Sequence, residues 1–129
     1  MIDIIIPTYN RIEKALDLAR SVQSLNSKFV KRILMIDSTE YDRPVDISDD
    51  IILHVVTKHR NQPYQRFLGF YLSEADYIIF LDDDMEIKEA EGLFERTSDI
   101  FKQKSIAVIA LNFSEKHEDT TLSKVPATE

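Results

Sequence analysis

Apolar residues form two alternating patterns along the chain, namely short continuous runs and longer stretches with helical spacing. The runs span four to six residues and are rich in β-branched side chains, which is typical of buried strands. Between them, apolar residues recur every three or four positions, as on the inward face of an amphipathic helix. These patterns predict strands at residues 2–6, 33–36, 51–56, 78–81 and 106–111, and helices at residues 11–25, 64–73 and 88–103. Asn10 is the predicted N-cap of the first helix.

The alternation of strands with helices predicts the α/β fold class, with a mostly parallel sheet covered by helices on both faces. Ligands of such sheets bind beyond the carboxyl ends of the strands. Polar segments follow four of the predicted strands, at residues 8–10, 37–38, 57–63 and 82–84. In a parallel sheet these segments share one edge, and their convergence predicts a binding site there.

Three consecutive carboxylates, Asp82, Asp83 and Asp84, follow directly on the apolar run at residues 78–81. Side chains alternate in direction along an extended backbone, so Asp82 and Asp84 are expected to point the same way. Two neighbouring carboxylates repel each other unless a cation lies between them, and a hard divalent ion is the natural candidate. Asp83 is expected to serve structure or solvent. The alternative is a solvated acidic turn, with Asp84 as a helix N-cap.

Composition and charge exclude several classes of protein. The chain has 129 residues, a net charge of −7, no cysteine and two glycines. The negative charge disfavours a nucleic-acid partner, which needs a basic surface. Without cysteine there is neither a disulfide nor a thiolate metal site. Two glycines are too few for a glycine-rich phosphate loop, so a bound phosphate would need a metal, basic side chains or a helix N-terminus.

Length and hydropathy predict one cytoplasmic domain. No apolar run approaches the ~20 residues that span a bilayer, so no transmembrane segment is expected. The first residues lack the basic and apolar regions of a signal peptide. The predicted domain covers residues 1–111, and residues 112–129 form a polar tail that is expected to be partly disordered. The oligomeric state is left open.

Four segments of the chain carry motifs in a defined order. They are the strand and loop at residues 3–11, the strand that ends in Asp37-Ser38, the basic segment with Arg60-Asn61, Arg66 and Gly69, and the strand with its acidic triplet at residues 77–84. In order and approximate spacing, these segments resemble the family 2 glycosyltransferases of the GT-A fold. The resemblance covers residues 2–111 and implies a Rossmann-like GT-A fold, as the nucleotide-sugar-binding half of such an enzyme.

The resemblance implies a nucleotide-sugar donor, most often a UDP-sugar, bound together with Mn²⁺ or Mg²⁺, and an acceptor that it does not name. The implied roles are a base pocket of Pro7, Thr8 and Tyr9, a base or ribose contact from Asp37, a ribose or metal contact from Asp82, a metal ligand in Asp84, and nucleotide recognition by Arg66.

Elementary chemistry supports several of these roles. Tyr9 has an aromatic face on which a nucleobase can stack. Arg60 and Arg66 can offset phosphate charge with paired donors. A divalent ion held by a carboxylate stabilises the charge that develops on a leaving diphosphate. Each role has a structural alternative. Tyr9 could pack over the first strand, and Asp37 could cap a loop or helix. Arg60 could belong to an ordinary solvated loop, and Arg66 could pair with a surface carboxylate.

The family's general base lies well downstream, in an acceptor-binding half, and inverting transfer requires it. Glu118-Asp119 follow Asp84 too closely to be that base, so no catalytic residue is assigned. We expect a truncated or naturally short enzyme that binds its donor, with inverting transfer by direct displacement in the complete enzyme. At the second strand, Asp37-Ser38-Thr39 also lacks one acid and the turn glycine of the family's common Asp-Asp-Gly-Ser.

Three other functions stay open on the sequence alone. A nucleotidyltransferase would use the same carboxylates, but it usually has a glycine-rich loop where this chain has Pro7-Thr8. A non-catalytic nucleotide-sugar-binding or interaction module would need no general base. A receiver-type signalling domain would need an acidic pair at the end of the first strand, where this chain has Pro7-Thr8.

Overall fold

The computed structural model of the protein describes residues 1–25, 27–47, 49–87, 92–103, 106–111 and 122–126. The chain divides into two compact units, Met1–Glu86 and Ile87–Glu129. The first unit contains β1 (Ile2–Thr8), α1 (Ile12–Ser24), β2 (Val30–Asp37), β3 (Ile52–Val56), α2 (Gln62–Leu72) and β4 (Tyr77–Phe80). The second contains α3 (Leu93–Gln103), β5 (Ile106–Leu111) and β6 (Leu122–Pro126).

The sheet of the first unit is entirely parallel, in the order β3-β2-β1-β4. Its register pairs Thr8 with Asp37 and Asp37 with Val56, so β1, β2 and β3 end at the same edge. This confirms the predicted α/β class and the parallel sheet. All seven residues of β1 are buried, as its nearly continuous apolar run predicts.

The two helices of this unit cover opposite faces of the sheet. The order β3-β2-β1-β4 means that the β1–β2 and β3–β4 crossovers run in opposite directions, and right-handed crossovers then lie on opposite faces. On the α2 face, Leu68 and Leu72 pack against a buried cluster that includes Ile5. A Cβ atom at Gly69 would lie 2.4 Å from Cγ2 of Ile5, so the close approach of α2 to β1 requires glycine there.

Helix starts differ between the two helices. Asn61 caps α2, since its side chain accepts a hydrogen bond of 3.0 Å from the backbone N–H of Tyr64, and Pro63 occupies the first turn. The prediction that Asn10 caps α1 is wrong. Arg11 is the N-cap residue of α1 without a side-chain bond, and Asn10 instead has a φ of 53°, in the left-handed region that asparagine tolerates.

The second unit contains a helix and an antiparallel strand pair. The predicted strand at residues 106–111 is confirmed, and so is the predicted helix from Leu93 onward, while residues 88–91 lie outside the described residues. Strand β6 pairs with β5 and lies within the segment that was predicted to be a polar tail. Its sequence, Leu-Ser-Lys-Val-Pro, has too little apolar pattern to predict a strand, because pairing with β5 is what defines it.

The predicted domain boundary at residues 111–112 stays a prediction. Glu118-Asp119 lie outside the described residues. No helix in the described part of the chain has the length and apolar character needed to cross a membrane.

Candidate functional site

A cavity of about 380 Å³ lies at the carboxyl edge of the sheet, between the end of β1 and the start of α2. Its described lining residues are Pro7, Thr8, Tyr9, Arg11, Arg60, Asn61, Gln62 and Gln65. The structure therefore brings the predicted base-pocket residues and Arg60 together in one cavity. The other predicted site residues, Asp37, Arg66, Asp82 and Asp84, are not among the lining residues.

Gln65 ties the start of α2 to the ends of two strands. Its side chain is buried, and its Nε2 donates to the carbonyl oxygens of Thr8 (3.0 Å) and Ile36 (2.7 Å). The two hydrogen bonds satisfy polar backbone groups where the strands end. The sequence analysis missed this residue, although a polar side chain four positions before the buried Gly69, on the same helix face, is the signal that could have found it.

Tyr9 and Arg60 stack on each other in the cavity wall. The guanidinium carbon of Arg60 lies 3.7 Å from the centre of the Tyr9 ring, which is a cation–π contact. Tyr9 is half-buried and Arg60 is exposed. One face of the Tyr9 ring is therefore covered by the exposed side chain of Arg60 and not by core residues.

Asp83 connects the loop after β1 with the turn after β4. Its carboxylate accepts a hydrogen bond of 2.7 Å from the Thr8 hydroxyl and forms an ion pair of 3.0 Å with Arg11. Asp83 is only 4% exposed, and these two contacts satisfy its buried carboxylate oxygens. Its role is structural, as expected for the middle of the triplet.

Asp82 and Asp84 lie in a turn, and not on the extended backbone on which both were expected to point the same way. The expected extended backbone is wrong, because β4 ends at Phe80 and the N–H of Met85 donates to the carbonyl of Asp82 (3.1 Å), which closes a turn. Asp82 is half-buried and pairs with Arg66 at 3.2 Å. Asp84 is exposed and has no polar partner among the described residues.

Asp82 and Asp84 carry carboxylate groups of the kind that hold Mg²⁺ beside a phosphate ligand. Within the described residues, no group of three or more histidine or acidic side chains is arranged to hold a metal. Mg²⁺ is commonly held by one or two carboxylates together with substrate phosphates and water. Asp82 and Asp84 could therefore supply the carboxylates for an ion that binds together with a phosphate ligand.

Asp37 is fully buried at the end of β2 and is saturated with hydrogen bonds. One oxygen accepts from the backbone N–H (2.9 Å) and the hydroxyl (2.6 Å) of Thr39, and the other contacts the Tyr41 hydroxyl and Nε2 of His54 (2.7 Å). An ionised carboxylate has about four acceptor positions, and all of them are used here. The side chain thus anchors the loop after β2 to β3.

The network around Asp37 shifts two pKa values. Burial raises the pKa of Asp37, but the hydrogen bonds from Thr39, Tyr41 and His54 outweigh burial and hold that pKa below its ordinary value. Burial, together with the hydrogen bond to Asp37, raises the pKa of Tyr41 to about 12. Sequence reasoning missed Tyr41 and His54. Only the strand register, which pairs His54 with Met35 two residues before Asp37, brings His54 close.

Comparison with known proteins identifies the family of this chain. No curated protein matches the chain at a significant level. The family model described as Glycosyl transferase family 2 matches residues 3–125, which is almost the whole chain and includes the four motif segments. The protein therefore belongs to glycosyltransferase family 2.

Proposed function

We propose that this protein binds a nucleotide-diphosphate sugar, specifically a UDP-sugar, as the donor of an inverting glycosyl transfer. The observation that supports the proposal is the cavity at the carboxyl edge of the parallel sheet. Membership of glycosyltransferase family 2 supports it independently. Open α/β sheets bind their ligands at this edge. A volume of about 380 Å³ lies within the usual range for small-molecule sites.

The lining residues offer two kinds of contact, one for a base and one for a phosphate. Tyr9 offers a ring for the base, with Pro7 and Thr8 beside it. Asn61 and Gln62 belong to the N-terminus of α2, whose partial positive charge favours phosphate. Arg60 adds a full positive charge.

Asp82 and Asp84 are the residues that would hold Mn²⁺ or Mg²⁺ beside the diphosphate. When bound, such an ion stabilises the negative charge of the leaving diphosphate as a Lewis acid. The ion pair between Arg66 and Asp82 (3.2 Å) would hold the Asp82 carboxylate in position.

Asp37 stays a predicted contact of the base or ribose, but only if one of its present hydrogen bonds is broken. All of its acceptor positions are used within the chain, so Tyr41 or His54 would have to withdraw before a ligand could take one. In the present arrangement, Asp37 supports the site by holding the Thr39–Tyr41 loop segment at the edge of the sheet.

Thermal unfolding with UDP and Mn²⁺ tests donor binding. A ligand that binds only the folded state at one hundred times its Kd stabilises by about 2.7 kcal/mol, which should raise the Tm by several degrees. Asp84→Asn should abolish the metal-dependent part of this rise. Asp50→Asn, an exposed aspartate in another turn, should leave it unchanged. No rise with any nucleoside diphosphate and metal would overturn the proposal.

Donor binding without transfer is a second candidate function, and one observation favours it. None of the described residues that line the cavity is an aspartate, glutamate or histidine, the usual general bases. Release of free sugar from UDP-sugars, or transfer to an added acceptor, distinguishes the two functions. Sugar release or transfer that is absent from a mock preparation without this protein supports transfer. Binding of the UDP-sugar without either reaction supports the second function.

A further inference from the structure

The three arginines near the site differ in their partners. Arg11 pairs with Asp83 and Arg66 pairs with Asp82, so the charge of each is already balanced. Arg60 has no carboxylate within ion-pair distance among the described residues, and its contact is the ring of Tyr9. Arg60 is therefore the cation of the cavity whose charge is available to a ligand.

The position of Arg60 leaves no room for a base on the same face of Tyr9. A separation of 3.7 Å between the guanidinium carbon and the ring centre is direct van der Waals contact. A guanidinium group is planar and stacks on aromatic faces, as a nucleobase does. Arg60 thus occupies the position that a stacked base would take on that face.

The exchange of Arg60 for a base requires only a side-chain movement. Arg60 is exposed, and a cation–π contact at an exposed site is worth only a two- to fivefold population ratio, roughly. The backbone next to Arg60 is fixed, because Asn61 caps α2 through the N–H of Tyr64 (3.0 Å). The guanidinium can therefore leave the ring while its Cα stays near the N-terminus of α2, where phosphate is favoured.

We infer that Arg60 is a placeholder on Tyr9 in the free protein and moves to the phosphates when a nucleoside diphosphate binds. The inference rests on the proposed function, because it names how the same cavity selects its ligand. A nucleoside without phosphates must displace Arg60 and gains nothing in return. A nucleoside diphosphate also displaces Arg60, but its phosphates then attract the guanidinium group. Arg60 therefore favours binding of the diphosphate over binding of the nucleoside.

Replacing Arg60 should therefore have opposite effects on two ligands. In Arg60→Ala, uridine should bind about two- to fivefold more tightly, because the ring is uncovered. UDP with Mg²⁺ should bind about tenfold more weakly, because a charge-assisted contact is lost. Arg60→Lys should keep most of the UDP affinity, since the charge stays, while uridine binds more tightly than to the wild type, since an ammonium group stacks less well.

Titration of ¹⁵N-labelled protein followed by NMR measures both ligands, including millimolar affinities. Arg43→Ala, which removes an exposed arginine outside the cavity, is the matched control and should change neither affinity. Affinities for uridine and UDP that fall together in Arg60→Ala, or a uridine affinity that does not rise, would overturn the placeholder while leaving donor binding intact. If the wild-type protein binds neither ligand, the proposed function fails and the placeholder with it.

Discussion

The inner and outer parts of the site satisfy their polar groups in different ways. The inner part consists of Thr8, Gln65 and Asp83, which are all buried and bonded to the chain itself. Their partners come from β1, β2, α2 and the turn after β4, so they hold four segments in one arrangement. This part is formed before any ligand arrives.

The outer part consists of Arg60, Asp82 and Asp84, which are exposed or half-exposed. Its contacts are a cation–π stack and an exposed ion pair, which are each worth about 1 kcal/mol or less, and Asp84 has no polar partner within the described residues. The two parts therefore have different roles. The inner part determines the shape of the site, and the outer part supplies charged groups to a ligand. Substitutions should then affect stability in the inner part and binding in the outer part.

The largest expected effect on stability is that of Asp83→Ala. It removes the hydrogen bond from Thr8 and the ion pair with Arg11, and it leaves a buried hydroxyl without its acceptor. We expect a loss of about 2–3 kcal/mol in the free energy of unfolding, less than for a fully buried pair because Arg11 is half-exposed. Urea unfolding measures it. Asp84→Ala, from the same triplet, should change stability by less than about 0.5 kcal/mol, and equal losses would remove the distinction between the two parts.

Gln65→Leu should have the next largest effect. Leucine has a similar size but is apolar, so the carbonyl groups of Thr8 and Ile36 lose the N–H groups that donate to them. A loss of about 1–2 kcal/mol in unfolding free energy is expected, measurable by the same urea titration. Gln62→Leu is the control, because that glutamine is exposed at the start of the same helix. A similar loss in both variants would mean that Gln65 does not hold the strand ends.

The network around Asp37 should produce a pH dependence at alkaline pH. The pKa of Tyr41 is raised from 10.0 to about 12 in the folded protein, so the unfolded chain loses this proton first as pH rises. The contribution of Tyr41 to stability is then fully present below pH 10 and is lost between pH 10 and about 12. Tm values measured across this range should fall less steeply in Tyr41→Phe than in the wild type. Parallel curves would contradict a half-buried, protonated phenol that donates to Asp37.

Arg66→Ala should have the smallest effect on stability. Its ion pair with Asp82 joins two side chains that are each more than a third exposed, and such pairs contribute little. The unfolding free energy should change by less than about 0.5 kcal/mol, while the affinity for UDP with Mg²⁺ should fall about fivefold, or roughly 1 kcal/mol, because Asp82 loses its orientation. Calorimetric titration, with Arg43→Ala as the control, measures the affinity. A large loss of stability would place Arg66 in the inner part.

The local hydrophobic pattern predicted helices and strands correctly where burial of apolar side chains alone determines the element. The continuous apolar run of β1 and the helical spacing of α1 and α2 led to correct elements, because burial on a sheet or a helix face leaves a regular signal. Strand β6 and the cap of α1 were missed or wrong. Pairing with β5 defines the former, and the N–H of Asn10, which donates to the Thr39 hydroxyl (2.6 Å), engages Asn10 away from the helix.

The sequence by itself determined which chemical groups lie at the carboxyl edge. The order of strands and helices, together with the positions of Tyr9, Arg60 and the acidic triplet, is enough for that, since parallel strands end at one edge. Only the tertiary structure decided which of these groups are free. Asp83 and Thr8 meet although they are 75 positions apart, and Asp37 is saturated by side chains from its own loop and from β3. Contacts of this kind depend on strand register and helix packing, and no local pattern of residues encodes them.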